Sequence, residues 1–269
     1  MEYANMMTID IIAKQSDISL PTYTLRALMK QILEGMRAFH SSGLVHRDIK
    51  CNNILLHSPP GSGRVHAKIS DFGFAKKKVD IYALGITFYK LITHKYPVNE
   101  RNIKEQGKKL AQLKCIMRPS EIKDNLLWDF LSRLMEFDPN KRITAAEALQ
   151  HPYFTLPEAL SDISKEQQDL ASLAAAAELE GDSSITEFDK DPTFIVSELI
   201  IKQFILNYIQ RIQPKQQNKT QLIKQEVEFV NEILQSVYKI DEQDNEDEMM
   251  KLALKISLQN DDNIEQSKL

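Results

Sequence analysis

Cysteine is scarce here: Cys51 and Cys115 are the only two in 269 residues, in unrelated contexts and without metal-ligand spacing. Neither a disulfide framework nor a zinc site is supported, and a reducing compartment fits. Glycine is sparse as well, with eight residues, and none of them forms a G-x-G-x-x-G lid for phosphates. No run approaches 18 apolar residues, and the N-terminal Met1-Glu2-Tyr3-Ala4-Asn5 has no basic segment followed by an apolar core. The expectation is a cytoplasmic or nuclear protein, neither secreted nor membrane-spanning, with no membrane or nucleic-acid partner.

Charge is not scarce but is unevenly placed. The net charge of −4 conceals 23 Lys and Arg against 15 Asp and Glu in residues 1–154, and 11 against 23 in residues 155–269. Two charge regimes suggest two functional parts. At this length, one domain of about 150 residues plus an appendage is the prior.

The residues richest in chemistry are His46-Arg47-Asp48-Ile49-Lys50-Cys51-Asn52-Asn53. A short apolar strand, residues 53–56, leaves them. A Pro/Gly/Ser cluster over residues 57–64 reads as an exposed hairpin loop. A second strand, residues 67–70, returns, and Asp71-Phe72-Gly73 follows directly. Upstream, Leu25, Leu28, Met29, Ile32, Leu33, Met36 and Phe39 lay one stripe along a helix over residues 20–42. Gly43 is placed to close that helix in the left-handed region.

This arrangement resembles the eukaryotic protein kinases, whose catalytic loop reads H-R-D-x-K-x-x-N and whose metal loop reads D-F-G. The lysine two residues after the aspartate is similar to the serine/threonine class. The resemblance implies a mainly α fold: a kinase-like C-terminal lobe over residues 1–154, built of helices and one short hairpin, followed by an α-helical tail. It implies ATP and Mg²⁺ as cofactors and a protein as substrate. Asp48 would accept or orient the substrate hydroxyl proton, Lys50 would meet the γ-phosphate, and Asn53 and Asp71 would hold Mg²⁺. Glu2 and Ala4 of a hinge would face adenine with their backbones, and Leu55 would floor it. His46 and Phe72 would stack, with Arg47 and Gly73 as further support, and Asp80 would anchor the catalytic loop from a buried central helix, Asp80 to Leu91.

Two departures from the family pattern stand out. In the resemblance the sequence opens at the hinge, ahead of which the family carries its Gly-rich loop, strand lysine and helix glutamate. Between Gly73 and the central helix only Phe74 to Val79 intervene, where the family has roughly thirty residues of activation segment ending in A-P-E. Arg142, the family's partner for that glutamate, is expected to find another carboxylate or turn to solvent, because a buried unpaired charge costs several kcal/mol. A weak enzyme, a pseudokinase scaffold and a ubiquitin-binding adaptor all stay open as functions.

Beyond Phe154 the kinase resemblance ends. Helices are expected over residues 165–180, 196–212 and 220–238, in an acidic region spanning residues 155–240. The acidic run Asp241 to Glu248, followed by Met250, Ala253, Leu254 and Ser257, is similar to a ubiquitin-interacting motif over residues 241–264. Ala253 and Ser257 are small and one turn apart, so that face could lie close against an apolar patch. Ubiquitin is thus a second expected partner.

Overall fold

A computed structural model describes residues 4–71, 77–100 and 102–212. The expected helix at 220–238 and the motif at 241–264 lie outside the described residues. So do Glu2, Phe72 and Gly73 among the expected site residues.

The described chain is mostly helical. It runs α1 (Asp10–Ala13), α2 (Thr22–Ser41), a 3₁₀ turn (Cys51–Asn53), β1 (Ile54–His57) and β2 (His66–Ile69), then α3 (Lys77–Thr93), α4 (Ile103–Gln112) and α5 (Asn125–Leu134). After these come α6 (Ala145–Leu149), α7 (Pro152–Thr155), α8 (Pro157–Ser161), α9 (Lys165–Leu179), α10 (Glu187–Lys190), a second 3₁₀ turn (Pro192–Phe194) and α11 (Glu198–Ile212). β1 and β2 pair antiparallel with Ile54 opposite Ile69 and Leu56 opposite Ala67. Both strands sit one residue away from the sequence reading. Asn53 is drawn into the 3₁₀ turn by its amide bond to Lys50 O, 3.0 Å, although its own carbonyl still accepts from Ser70 N at 2.9 Å.

The core forms where the apolar stripes meet. α2 buries Leu28, Met29, Ile32, Leu33 and Met36, and ends at Gly43, whose φ of 82° is costly for any side chain with a Cβ. α3 is apolar around its circumference, burying Ile81, Leu84, Phe88 and Leu91, as a helix enclosed by the lobe must. α5 crosses it closely: a Cβ on Gly85 would stand 2.7 Å from Met135 Cγ and 2.9 Å from Leu134 Cβ. Phe130 of α5 stacks on Tyr153 at 5.6 Å and meets Phe154 edge-on at 5.1 Å, closing the lobe. His151 caps α7 by accepting from Tyr153 N, 3.1 Å, with its other nitrogen on Asp129.

The tail continues this packing. The described residues up to 212 belong to one compact unit, which runs past position 154, where the kinase resemblance of the sequence ends. α11 meets α1, and the buried Gln15 donates to Phe204 O at 2.9 Å. The loop between β1 and β2 is less exposed than its composition suggested. Ser58, Arg64 and Val65 are buried, because Asn5 brackets Ser58 from one side and residues 196–198 cover the other. No helix among the described residues is long and apolar enough to cross a membrane.

Candidate active site

The site is assembled around one buried carboxylate. Asp80 enters on the first turn of α3 and is fully buried. Its Oδ2 accepts from His46 N at 2.7 Å and its Oδ1 from Arg47 N at 2.8 Å, while His40 Nε2 lies 3.1 Å from Oδ2. Two backbone donors in a loop are thereby satisfied by a charged acceptor, the stronger class of hydrogen bond. Arg47 is held at a φ of 77°, a left-handed conformation that costs a non-glycine residue of order 1–3 kcal/mol. The Asp80 clamp offsets that strain and turns the chain so that Asp48 faces solvent.

His46 is buried and uses both ring nitrogens. Asp48 N donates to Nδ1 at 3.2 Å, so the proton sits on Nε2, which donates to Ser70 O at 2.6 Å. One imidazole therefore ties the loop carrying Asp48 to the strand leading into Asp71. Its ring also lies 6.2 Å from Phe39 of α2.

Asp48, Lys50 and Asn53 interlock. Asp48 Oδ2 accepts from Lys50 Nζ at 2.6 Å and from Asn53 Nδ2 at 2.9 Å, and Asn53 Nδ2 also reaches Asp48 O at 2.8 Å. The Lys50 ammonium, with the Asn53 amide behind it, holds the Asp48 carboxyl below the usual carboxylate range. Asp48 is thus an ionised acceptor at neutral pH, with Oδ1 left for a further donor. Because Asn53 spends its nitrogen on Asp48, its carboxamide oxygen is the atom left to face a ligand.

Asp71 follows β2 with a φ of 62° and is exposed, its Oδ2 taking Ser70 Oγ at 3.2 Å. The pairing of Ser70 with Asn53 sets the two expected metal residues at the same end of the hairpin. An amide oxygen and a carboxylate are hard donors of the kind Mg²⁺ takes, alongside phosphate oxygens and water, so the residues fit that ion. Among the described residues no group of three or more His, Cys, Asp or Glu could hold a metal by itself.

Leu55 and Ala4 lie at the same edge. Residues 6–9 run beside β1, with Met6 N on Leu56 O, Leu56 N on Met7 O and Ile9 N on Ile54 O at 3.0 to 3.1 Å. Strand alternation puts Ile54 and Leu56 in the core and leaves Leu55 half-buried on the opposite face. Ala4 is half-buried just ahead of that pairing.

Arg142 does not turn to solvent: it is buried, with Nε on Glu136 O at 2.7 Å, an Nη on Phe137 O at 3.3 Å, and its guanidinium 5.0 Å above the Tyr82 ring. Burial lowers its pKa, as desolvation of a cation does. Carbonyl dipoles and a ring face stabilise the charge.

Sequence reasoning missed His40 and Gln31. His40 sits on the last turn of α2, where its distance from Asp80 in sequence hides the pairing. Gln31 lies beside the unbroken apolar stripe of α2, and nothing in the sequence marked it.

The Protein kinase domain family profile matches residues 1–78 and 75–154, two pieces that overlap where the sequence reading places the missing activation segment. Sperm motility kinase 3A of Mus musculus is 32% identical over 166 residues, covering 51% of this chain and 32% of that protein. Serine/threonine-protein kinase cds1 of Schizosaccharomyces pombe is 29% identical over 184 residues, covering 51% and 37%. The phosphorylase b kinase gamma catalytic chain, liver/testis isoform, of Rattus norvegicus is 26% identical over 180 residues, covering 51% and 42%. The chain thus spans between 32% and 42% of the length of these relatives. With more than half of its residues matched by the domain profile, the chain belongs to the protein kinase family.

Proposed function

We propose that this chain carries the catalytic and metal loops of a serine/threonine protein kinase that transfers the γ-phosphoryl group of MgATP to a protein hydroxyl. The observation that supports this most is the interlock of Asp48, Lys50 and Asn53 on a loop clamped by Asp80.

In this reading the incoming Ser or Thr hydroxyl donates to Asp48 Oδ1, which aligns its oxygen and receives its proton as the new P–O bond forms and the bond from the γ-phosphorus to the β,γ-bridging oxygen breaks, releasing ADP. Asp48 is already ionised, so no prior deprotonation is needed, and such a base is worth about 10²–10⁴-fold. Lys50 stands within reach of both Asp48 and an incoming phosphate, so its charge is shared between holding the base and neutralising the transferred group. Asn53 and Asp71 would hold Mg²⁺, which supplies charge neutralisation at the phosphates. Leu55 would offer an apolar floor to the adenine ring, and the backbone of Ala4 would face it.

The test is phosphotransfer from radiolabelled ATP to a mixed Ser/Thr peptide pool by the full chain. Asp48→Asn and Asp71→Ala are each expected to abolish incorporation. Incorporation that survives Asp71→Ala would refute the assignment of the metal loop.

A further inference from the structure

An isolated pair of strands is marginal in water, so the β1–β2 hairpin needs support on both edges. Residues 6–9 supply it along β1. Along β2 the support comes from α2 and, at the start of the strand, from the tail. The single carboxamide of Gln31 accepts from Ala67 N at 2.7 Å and donates to Val65 O at 3.0 Å and Phe194 O at 2.6 Å. Val65 N donates to Val196 O at 2.8 Å, and Glu198 N to Gly63 O at 2.9 Å.

Side chains reinforce these backbone hooks. Asp189 of α10 is buried, with Oδ1 taking His66 Nε2 at 2.8 Å and lying 3.1 Å from Arg64 Nε, while Oδ2 takes Thr186 N and Oγ1 at 2.9 and 2.7 Å. Arg64 is buried as well, so this contact neutralises a cation inside the protein. Further along, Gln167 of α9 donates to Ile195 O at 2.8 Å, Ser197 donates to Glu166 at 2.6 Å, and the Lys30 ammonium sits 4.1 Å from the Phe194 ring centre. The tail does not lie flush. A cavity of about 310 Å³ opens between Phe188 and Phe194 on one side and Gly35 and Ala38 on the other.

We propose that residues 164–198 form an intramolecular strap that holds the catalytic hairpin, with Asp189 as its clasp and as a positioning residue for Asn53 and Asp71. Coupling runs along β2: its first residue, His66, bonds the clasp, and its continuation through Ile69 and Ser70 fixes Asn53 by the Ser70 N bond and leads into Asp71. Lateral play at one end of so short a strand is felt at the other, because the register with β1 sets every side chain's face. The proposal uses the active-site reading only in naming Asn53 and Asp71 as the residues positioned.

Amide hydrogen exchange on the full chain, without nucleotide, tests the strap independently of that reading. In Asp189→Asn, which leaves Arg64 without its counter-charge, residues 54–57 and 66–70 are expected to lose at least tenfold in protection while the cores of α3 and α5 keep theirs. The double variant Arg64→Met/Asp189→Leu, which removes the charge imbalance but also the bond to His66, should leave the same amides loosened; restored protection would show a role for the charge pair alone and overturn the clasp. Gln167→Leu, which touches neither strand, should loosen the same amides and serves if Asp189→Asn does not fold. Unchanged hairpin protection, or an equal loss across α2, α3, α5 and the hairpin, would overturn the proposal.

Discussion

Replacing Asp80 by asparagine should unlatch the catalytic loop while leaving the lobe folded. The carboxylate serves three donors, His46 N, Arg47 N and His40 Nε2, from a fully buried position. Asparagine keeps the volume but offers one oxygen, so its NH₂ must face a donor. One charge-assisted bond is lost, worth about 1.5–3 kcal/mol, and one amide is left unsatisfied. Arg47, at a φ of 77°, loses the contact that holds it there. The sum, about 2–4 kcal/mol, is a large part of the 5–15 kcal/mol typical of a domain but short of all of it. Urea unfolding followed by Trp128 fluorescence should show that decrease, and the amides of His46 and Arg47 should exchange far faster than those of α2. A decrease below about 0.5 kcal/mol with both amides still protected would refute the reasoning, since the clamp would then carry no load.

Gly85→Ala should cost about 1–3 kcal/mol, because its methyl would meet Met135 and Leu134 inside contact distance; thermal unfolding measures it. Asp10, buried between Lys14 and Lys90, has its pKa lowered: burial pushes it up, but the two ammonium bonds outweigh burial. A depressed carboxylate contributes stability present above its ordinary 3.8 and lost as pH falls through the lower folded value, so Asp10→Asn should flatten the acid side of a stability curve measured below pH 5. An equally steep acid limb in Asp10→Asn would contradict that sign. For residues 241–264, the sequence pattern predicts ubiquitin binding near 10⁻⁴ M, weakened more than tenfold by Ala253→Gln; titration of labelled ubiquitin decides it, and no moving resonance at millimolar peptide would end the idea.

Local signals carried much of the fold. The stripe of α2, Gly43 and the paired strands are each written in a short window, where periodicity and turn residues speak directly, while the enclosed α3 was implied by the kinase resemblance. The Asp48, Lys50 and Asn53 cluster was implied by the resemblance to the kinase catalytic loop, whose motif fits within six residues. What stayed hidden depends on polar pairs far apart in sequence: His40 with Asp80, Gln31 with Phe194, His66 with Asp189. Such pairs have no period and no composition bias. The loop after β1 was read as exposed because Pro, Gly and Ser report turn geometry, whereas its burial is imposed by residues more than 130 positions later. Arg142 was judged on charge pairing alone, whereas two carbonyls and a tyrosine ring also receive it.

The central claim is that Asn53 and Asp71 hold the metal of a nucleotide that Asp48 faces. Titrating the ¹⁵N-labelled full chain with ATP and substoichiometric Mn²⁺ tests it most directly, because paramagnetic broadening falls off steeply from the ion. The account predicts selective loss of the amide signals of Asp48, Asn53 and Asp71, absent when ATP is omitted and absent in Asp71→Ala. Broadening centred elsewhere, or unchanged in Asp71→Ala, would contradict it.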